Sequence, residues 1–290
     1  MKTVPFLFID SVVSILDAFQ PLKNLPGTWF NVATTHDQQR QNFGITLITE
    51  TENIVFALSQ NDTFLNEERT KELFETNKKF MRCVELEVVD STLELGTVYT
   101  ITFDEIQNNY LPQIAPALAG DKFVFTSQHS QFATQLVELL LPIMEPKFIK
   151  SLNLGYYGTL SQEFLQQQVR ENSYLEVIEL NGPWPTSVLP ILESAVKEKQ
   201  CVKLRLSKTP IVLNFDFVNS LLQHWFSKSG RTDRLCIKAV MDFDPKEVFP
   251  NRDDYSVSAS YAVELLNQEF RKVTQIFVLP IIVCDSDDEF

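Results

Sequence analysis

The sequence predicts an α/β fold in three parts: a short N-terminal three-helix unit, a strand-rich middle region and a C-terminal stack of strand–helix units. Three observations carry this. Apolar residues fall at helical spacing over residues 1–40, and β-branched and aromatic residues alternate with polar ones from residue 43. From residue 149 a strand-plus-helix pattern recurs every 26 residues. The expected boundaries are 1–42, 43–117 and 118–283, with an acidic tail at 284–290.

The recurrence is the strongest signal. Ile149-x-x-Leu152-x-Leu154 returns as Leu175-x-x-Ile178-x-Leu180 and again as Cys201-x-x-Leu204-x-Leu206. Between these strands Leu165, Ile191 and Phe217 share one position, and Val169, Ala195 and Leu221 another. Each pair of columns lies four residues apart, the spacing of one helical face. A strand and a helix cannot bury their apolar faces alone, so neighbouring units are expected to stack into a continuous core. Further strands are expected at Phe123 and Phe125 before the repeats, then at Leu235 and Ile237, and at Ile276 and Val278, with loops inserted. The L-x-x-L-x-L core and the unit length resemble a leucine-rich repeat. Tyr157, Pro183 and Thr209 stand where that family carries its asparagine ladder. An ordinary α/β domain with evenly spaced strands is the alternative.

In the middle region, strands are expected at Ile45–Thr49, Asn53–Leu58, Val84–Val89 and Val98–Phe103, and the charged stretch from Asn66 to Arg82 suits a surface helix. In the N-terminal unit, Pro5, Phe8, Val12, Val13 and Leu16 make one apolar stripe; Phe19, Leu22, Leu25, Trp29 and Val32 make a second, broken by Pro26-Gly27. A third short helix is therefore expected to start near Leu25-Pro26-Gly27. Such a unit is too small for a large core, so it docks on its neighbour or offers its apolar face to a partner.

These residues resemble a degenerate F-box. Pro5 matches the opening proline, Phe8, Val12, Val13 and Leu16 the apolar set, and Trp29 the closing tryptophan, two residues earlier than in the pattern. Val4 replaces the leading leucine, and Phe6 and Leu7 stand where an acidic residue is common. The opening is also similar to the expanded F-box-like families of nematodes. The resemblance implies a non-catalytic substrate-recognition adaptor of a cullin-RING (SCF-type) ubiquitin ligase. Pro5, Phe8, Val12, Val13, Leu16, Leu22 and Trp29 would dock a Skp-type adaptor, and the repeats would bind a protein substrate. The alternative is a protein-binding scaffold with no ligase link, its N-terminal helices packed as a structural cap.

On the repeat strands, residues alternating with the buried leucines face solvent. They read Ser151, Val177, Lys203 and Arg234 in one column, and Asn153, Glu179, Arg205 and Cys236 in the next. Lys203, Arg205 and Arg234 suit an acidic or phosphorylated segment, with Glu179 beside them; an ordinary solvated face is the alternative. Trp184, in a loop between Pro183 and Pro185, is a candidate partner anchor, or else packs over the next repeat. The tail Asp285-Ser286-Asp287-Asp288-Glu289 could carry an acidophilic kinase site or neutralise the basic stretch in cis.

Other classes are disfavoured. The net charge is −13, divided as −10 in residues 1–145 and −3 in residues 146–290, which argues against nucleic acid and anionic membranes as partners. No apolar run reaches the ~18 residues of a membrane span, and no secretory segment is convincing, so a cytoplasmic or nuclear location is expected. Four scattered cysteines and three isolated histidines (His36, His129, His224) give no metal site, and no nucleotide or nucleophile motif is present. No enzyme activity and no cofactor are expected.

Overall fold

The computed structural model describes residues 5–15, 20–49, 53–61, 63–75, 78–90, 99–127, 131–144, 149–198, 201–227, 235–243, 255–266 and 269–280. Leu16, Arg234 and the acidic tail lie outside the described residues. The fold is mixed α/β. Contacts divide the chain into two compact units, residues 1–122 with 127–147, and residues 123–126 with 148–290. The helical and strand-rich regions share the first of these units. No described helix is long and apolar enough to cross a membrane.

The first unit opens with helices α1 (Phe6–Ile15), α2 (Gln20–Lys23) and α3 (Thr28–Gln39). The Pro5 carbonyl accepts from the amides of Phe8 and Ile9, which starts α1 where the proline predicts. Gly27, at φ 74°, turns the chain into α3, a conformation that costs glycine little. Strands β1 (Gln41–Thr49), β2 (Ile54–Gln60) and β3 (Thr63–Phe64) follow, then α4 (Glu67–Glu75) and β4 (Met81–Val89). After β5 (Tyr99–Ile101), a helical run comprises α5 (Phe103–Glu105), a π turn at Ile106–Tyr110 and α6 (Leu111–Ile114). Strand β6 (Leu118–Phe125) and helix α7 (Gln131–Met144) come next. The unit's sheet runs β6-β4-β1-β2-β3, with β5 also on β2. β1 pairs parallel to β4 and antiparallel to β2. Residues 43–49 are all buried, so β1 is the central strand.

The second unit holds the repeats. Strands β7 (Ser151–Gly155), β8 (Val177–Asn181) and β9 (Lys203–Ser207) alternate with helices α8 (Thr159–Glu171), α9 (Leu189–Glu198) and α10 (Phe215–Ser227). Strands β10 (Val212–Leu213), β11 (Leu235–Met241), β12 (Tyr255–Leu266) and β13 (Glu269–Pro280) complete it. The order is β7-β8-β9-β11-β13-β12, with Phe123–Phe125 of β6 beside β7. β7, β8 and β9 pair parallel with Ser151 opposite Val177 and Val177 opposite Lys203, so the 26-residue period is the hydrogen-bonded register itself. Leu152, Leu154, Ile178, Leu180, Leu204 and Leu206 are buried as expected.

Two details correct the sequence reading. Ile191 and Phe217 are only half-buried, whereas Leu165 is fully buried, so they do not form one core column. The buried positions of α9 lie 27 residues after those of α8 (165 to 192, 168 to 195), and those of α10 lie 26 after α9 (192 to 218, 195 to 221). The loop after β8, with its short 3-10 turn Thr186–Val188, takes up the extra residue. The strand at Ile276 is not a further repeat either. β13 runs antiparallel to β11, with Ile276 opposite Ile237.

Gly155 ends β7 where a side chain has no room. A Cβ there would lie 2.9 Å from the Phe125 carbonyl oxygen.

Candidate functional site

Two surfaces carry the candidate residues, one on each unit. In the helical part of the first unit, Ile9, Val13, Val32 and Ala33 are buried together, with Leu22 and Trp29 partly buried against them. Val13 is fully buried, so it holds the helices to one another and is not available as a contact residue. Val12 is half-buried, while Pro5 and Phe8 are exposed. The exposed apolar set is Phe6 (55%), Leu7 (76%), Phe8 (56%), Leu25 (42%) and Phe30 (45%). Only Phe8 of these stood in the predicted docking set. The apolar stripe read from the sequence marks Val13 of the inner face but misses Ile9, and it includes Pro5 and Phe8, which are exposed.

Ionic and aromatic contacts tie these helices to the strand region of the same unit. Asp10 pairs with Lys79 at 2.7 Å and with His36 at 3.0 Å, and the buried His36 ring meets Phe80 edge-on at 5.1 Å. Burial alone would raise the Asp10 carboxyl pKa. The hydrogen bonds from Lys79 and His36 outweigh it and hold the group below its ordinary value. Arg40 donates from Nη2 to the Val13 carbonyl at 2.9 Å, which anchors the end of α3 to α1.

On the second unit, β7, β8 and β9 turn their alternate residues outward, where Ser151, Asn153, Val177, Glu179, Lys203 and Arg205 are half-buried. Glu179 organises this face. Its Oε1 accepts from Lys203 Nζ at 3.2 Å and from Arg205 Nη1 at 3.0 Å, and its Oε2 accepts from Asn153 Nδ2 at 3.5 Å. Asn181 donates in turn to Asn153 Oδ1 at 2.5 Å. The basic residues are thus partly neutralised from within the sheet.

The expected columns shift at the fourth strand. Lys203 stands opposite Cys236 and Arg205 opposite Lys238. Counting from Leu235 placed the register two residues too early, because Leu235, Ile237 and Ala239 are all buried and only the hydrogen bonds choose among them. Lys238 is therefore the charged neighbour of Arg205 that the sequence reading missed.

Trp184 is fully buried and cannot anchor a partner. Its indole Nε1 donates to the Leu154 carbonyl at 3.2 Å, and its ring lies 5.3 Å from that of Tyr156. Trp184 thus ties the loop after β8 to the preceding strand β7. Asn172 does similar work at the opposite end of β7. Its Nδ2 donates to the Ile149 carbonyl at 2.6 Å, and its Oδ1 accepts from the Tyr174 amide at 2.8 Å.

Burial raises the thiol pKa of Cys83, and that of Cys201 to about 12. Among the described residues, no three His, Cys, Asp or Glu side chains gather as metal ligands would. No family model matches the chain, no curated protein matches it and no solved structure matches it.

Proposed function

We propose that the chain is a non-catalytic substrate-recognition adaptor of a cullin-RING ubiquitin ligase. Its N-terminal helices dock a Skp-type adaptor, and its repeat strands hold a protein substrate. One observation supports this above the rest: α1, α2 and α3 already fill their inner face with Ile9, Val13, Val32 and Ala33, yet leave Phe6, Leu7, Phe8, Leu25 and Phe30 exposed. Water penalises such a set of apolar groups on so short a segment, and a partner surface removes the penalty. The F-box resemblance of the same segment names the partner.

A second reading has its own support. The Asp10–Lys79 pair and the His36–Phe80 contact fasten the helices to the strand region, as a structural cap of a plain protein-binding scaffold requires. Affinity capture with a purified Skp-type adaptor separates the two, comparing wild type with a Leu7→Ser/Phe8→Ser variant shown by circular dichroism to be folded. The wild type is retained and the variant loses about tenfold or more. Failure of the wild type to be retained, or equal retention of both, overturns the ligase reading and leaves the cap.

A further inference from the structure

We infer that the outward strand face of the repeat units recognises an extended acidic segment of a partner protein whose carboxylates stand at alternate positions. This rests on the reading above that the repeats are the substrate side, and it names the substrate's chemistry.

The argument starts from register. Lys203 and Arg205 are two residues apart on β9, so their side chains leave the same face of one strand. That places their stems about 7 Å apart, the distance between carboxylates at positions i and i+2 of an extended peptide. Lys238 stands opposite Arg205 on the adjacent strand, about 5 Å away, so the second carboxylate of such a pair meets two cations.

Across the outward positions of β7, β8, β9 and β11 the charged residues are Glu179, Lys203, Arg205 and Lys238, a formal charge of +2 in a chain of −13. A locally basic face is complementary in charge to an acidic partner.

Glu179 occupies both cations through a single oxygen, Oε1, which holds their side chains upright and ordered before a ligand arrives. Arg205 meets Glu179 through Nη1, and the planar fork of its guanidinium is of the kind that reads a carboxylate in two-point fashion once Glu179 gives way. Glu179 is in this sense a built-in competitor, and its removal should help the ligand.

The test uses the purified full-length chain alone and two fluorescent heptapeptides of identical composition. One alternates Asp and Ser; in the other, the blocked peptide Asp-Asp-Ser-Ser-Asp-Asp-Ser, no two Asp lie at positions i and i+2. Binding is followed by anisotropy at about 50 mM salt and again at about 200 mM, where charge pairing weakens. The alternating peptide binds at least about fivefold tighter than the blocked one, because only its carboxylates match the strand period. Arg205→Gln lowers affinity by about tenfold and Lys203→Gln by about threefold, while Glu179→Gln raises it about threefold.

Absence of binding by the wild type overturns the inference, as does equal affinity for the two peptides. A loss in Glu179→Gln also overturns it, and that variant provides a reading should Arg205→Gln fail to fold. Since no ligase component is present, failure here leaves the adaptor-capture result standing, and failure there leaves this one.

Discussion

The helical segment and the repeat units treat their apolar residues in opposite ways. In the repeats Phe164, Trp184 and Trp225 are fully buried, and each unit closes on its neighbour. In the helices, core residues and exposed ones alternate around the same short segments. Of the seven large hydrophobic residues exposed among the described residues, five (Phe6, Leu7, Phe8, Leu25 and Phe30) belong to residues 1–40. The repeats are therefore self-sufficient, with their chemistry left to polar side chains on the strand face. The helices are held by a few specific contacts and keep apolar area in reserve. A stability change should break the first, and a surface change should be felt only by a partner of the second.

The largest effect is expected at Trp184. Changing Trp184→Ala removes one of the two buried tryptophans of the repeat core and the donor that satisfies the Leu154 carbonyl, at a cost of about 3–5 kcal/mol. Urea unfolding followed by far-ultraviolet circular dichroism measures it. A cost below about 1 kcal/mol would mean that this loop is not the link between units.

Asn172 comes next. Replacing it with Ala leaves the Ile149 carbonyl and the Tyr174 amide without their buried partner, for about 1–3 kcal/mol. Hydrogen exchange at the Tyr174 amide should accelerate in the same variant. If exchange is unchanged, the asparagine is not what holds the chain between α8 and β8.

Much of the repeat architecture was legible in the sequence, for a physical reason. Parallel strands pair residue against residue, so equal unit lengths are written directly as a 26-residue period in Leu152, Ile178 and Leu204. Where one extra residue is absorbed was not legible. The shift of one between α8 and α9 sits in the loop around Trp184, and no count along the chain places it. The fourth strand misled for a related reason: Leu235, Ile237 and Ala239 offer three equivalent inward positions, and only pairing with β9 fixes which stands opposite Leu204. In the helical segment Val13 and Phe8 both obey the same apolar periodicity, yet one is buried and the other exposed. A stripe specifies a face, while burial depends on how much of that face the neighbours cover.

A smaller, pH-dependent effect sharpens the view of how the helices are fastened. The Asp10 carboxyl titrates below its unfolded value of about 3.9, so its pairs with Lys79 and His36 stabilise the first unit above that pH. The contribution fades as pH falls through the lower, folded value. Asp10→Asn should cost about 1 kcal/mol near neutral pH, and its urea midpoint should converge with that of the wild type on acidification. A gap that stays constant from about pH 5 down to about pH 2 would show that the aspartate does not act through its charge.

The smallest change in stability, and the sharpest test of the contrast, is expected from Leu7→Ser with Phe8→Ser. Both side chains are more than half exposed, so the free protein should lose no more than about 0.5 kcal/mol. The buried Val13 provides the control in the same helix. Val13→Ser puts an unpaired hydroxyl among Ile9, Val32 and Ala33 and should cost about 2 kcal/mol or more. If the pair of exposed changes proves as costly as the buried one, Leu7 and Phe8 belong to the packing of the fold and the helices are a cap. If it is neutral while capture by the Skp-type adaptor is lost, the apolar area is spent on a partner. The two kinds of apolar residue in this helix then have separate duties, one inward and one outward.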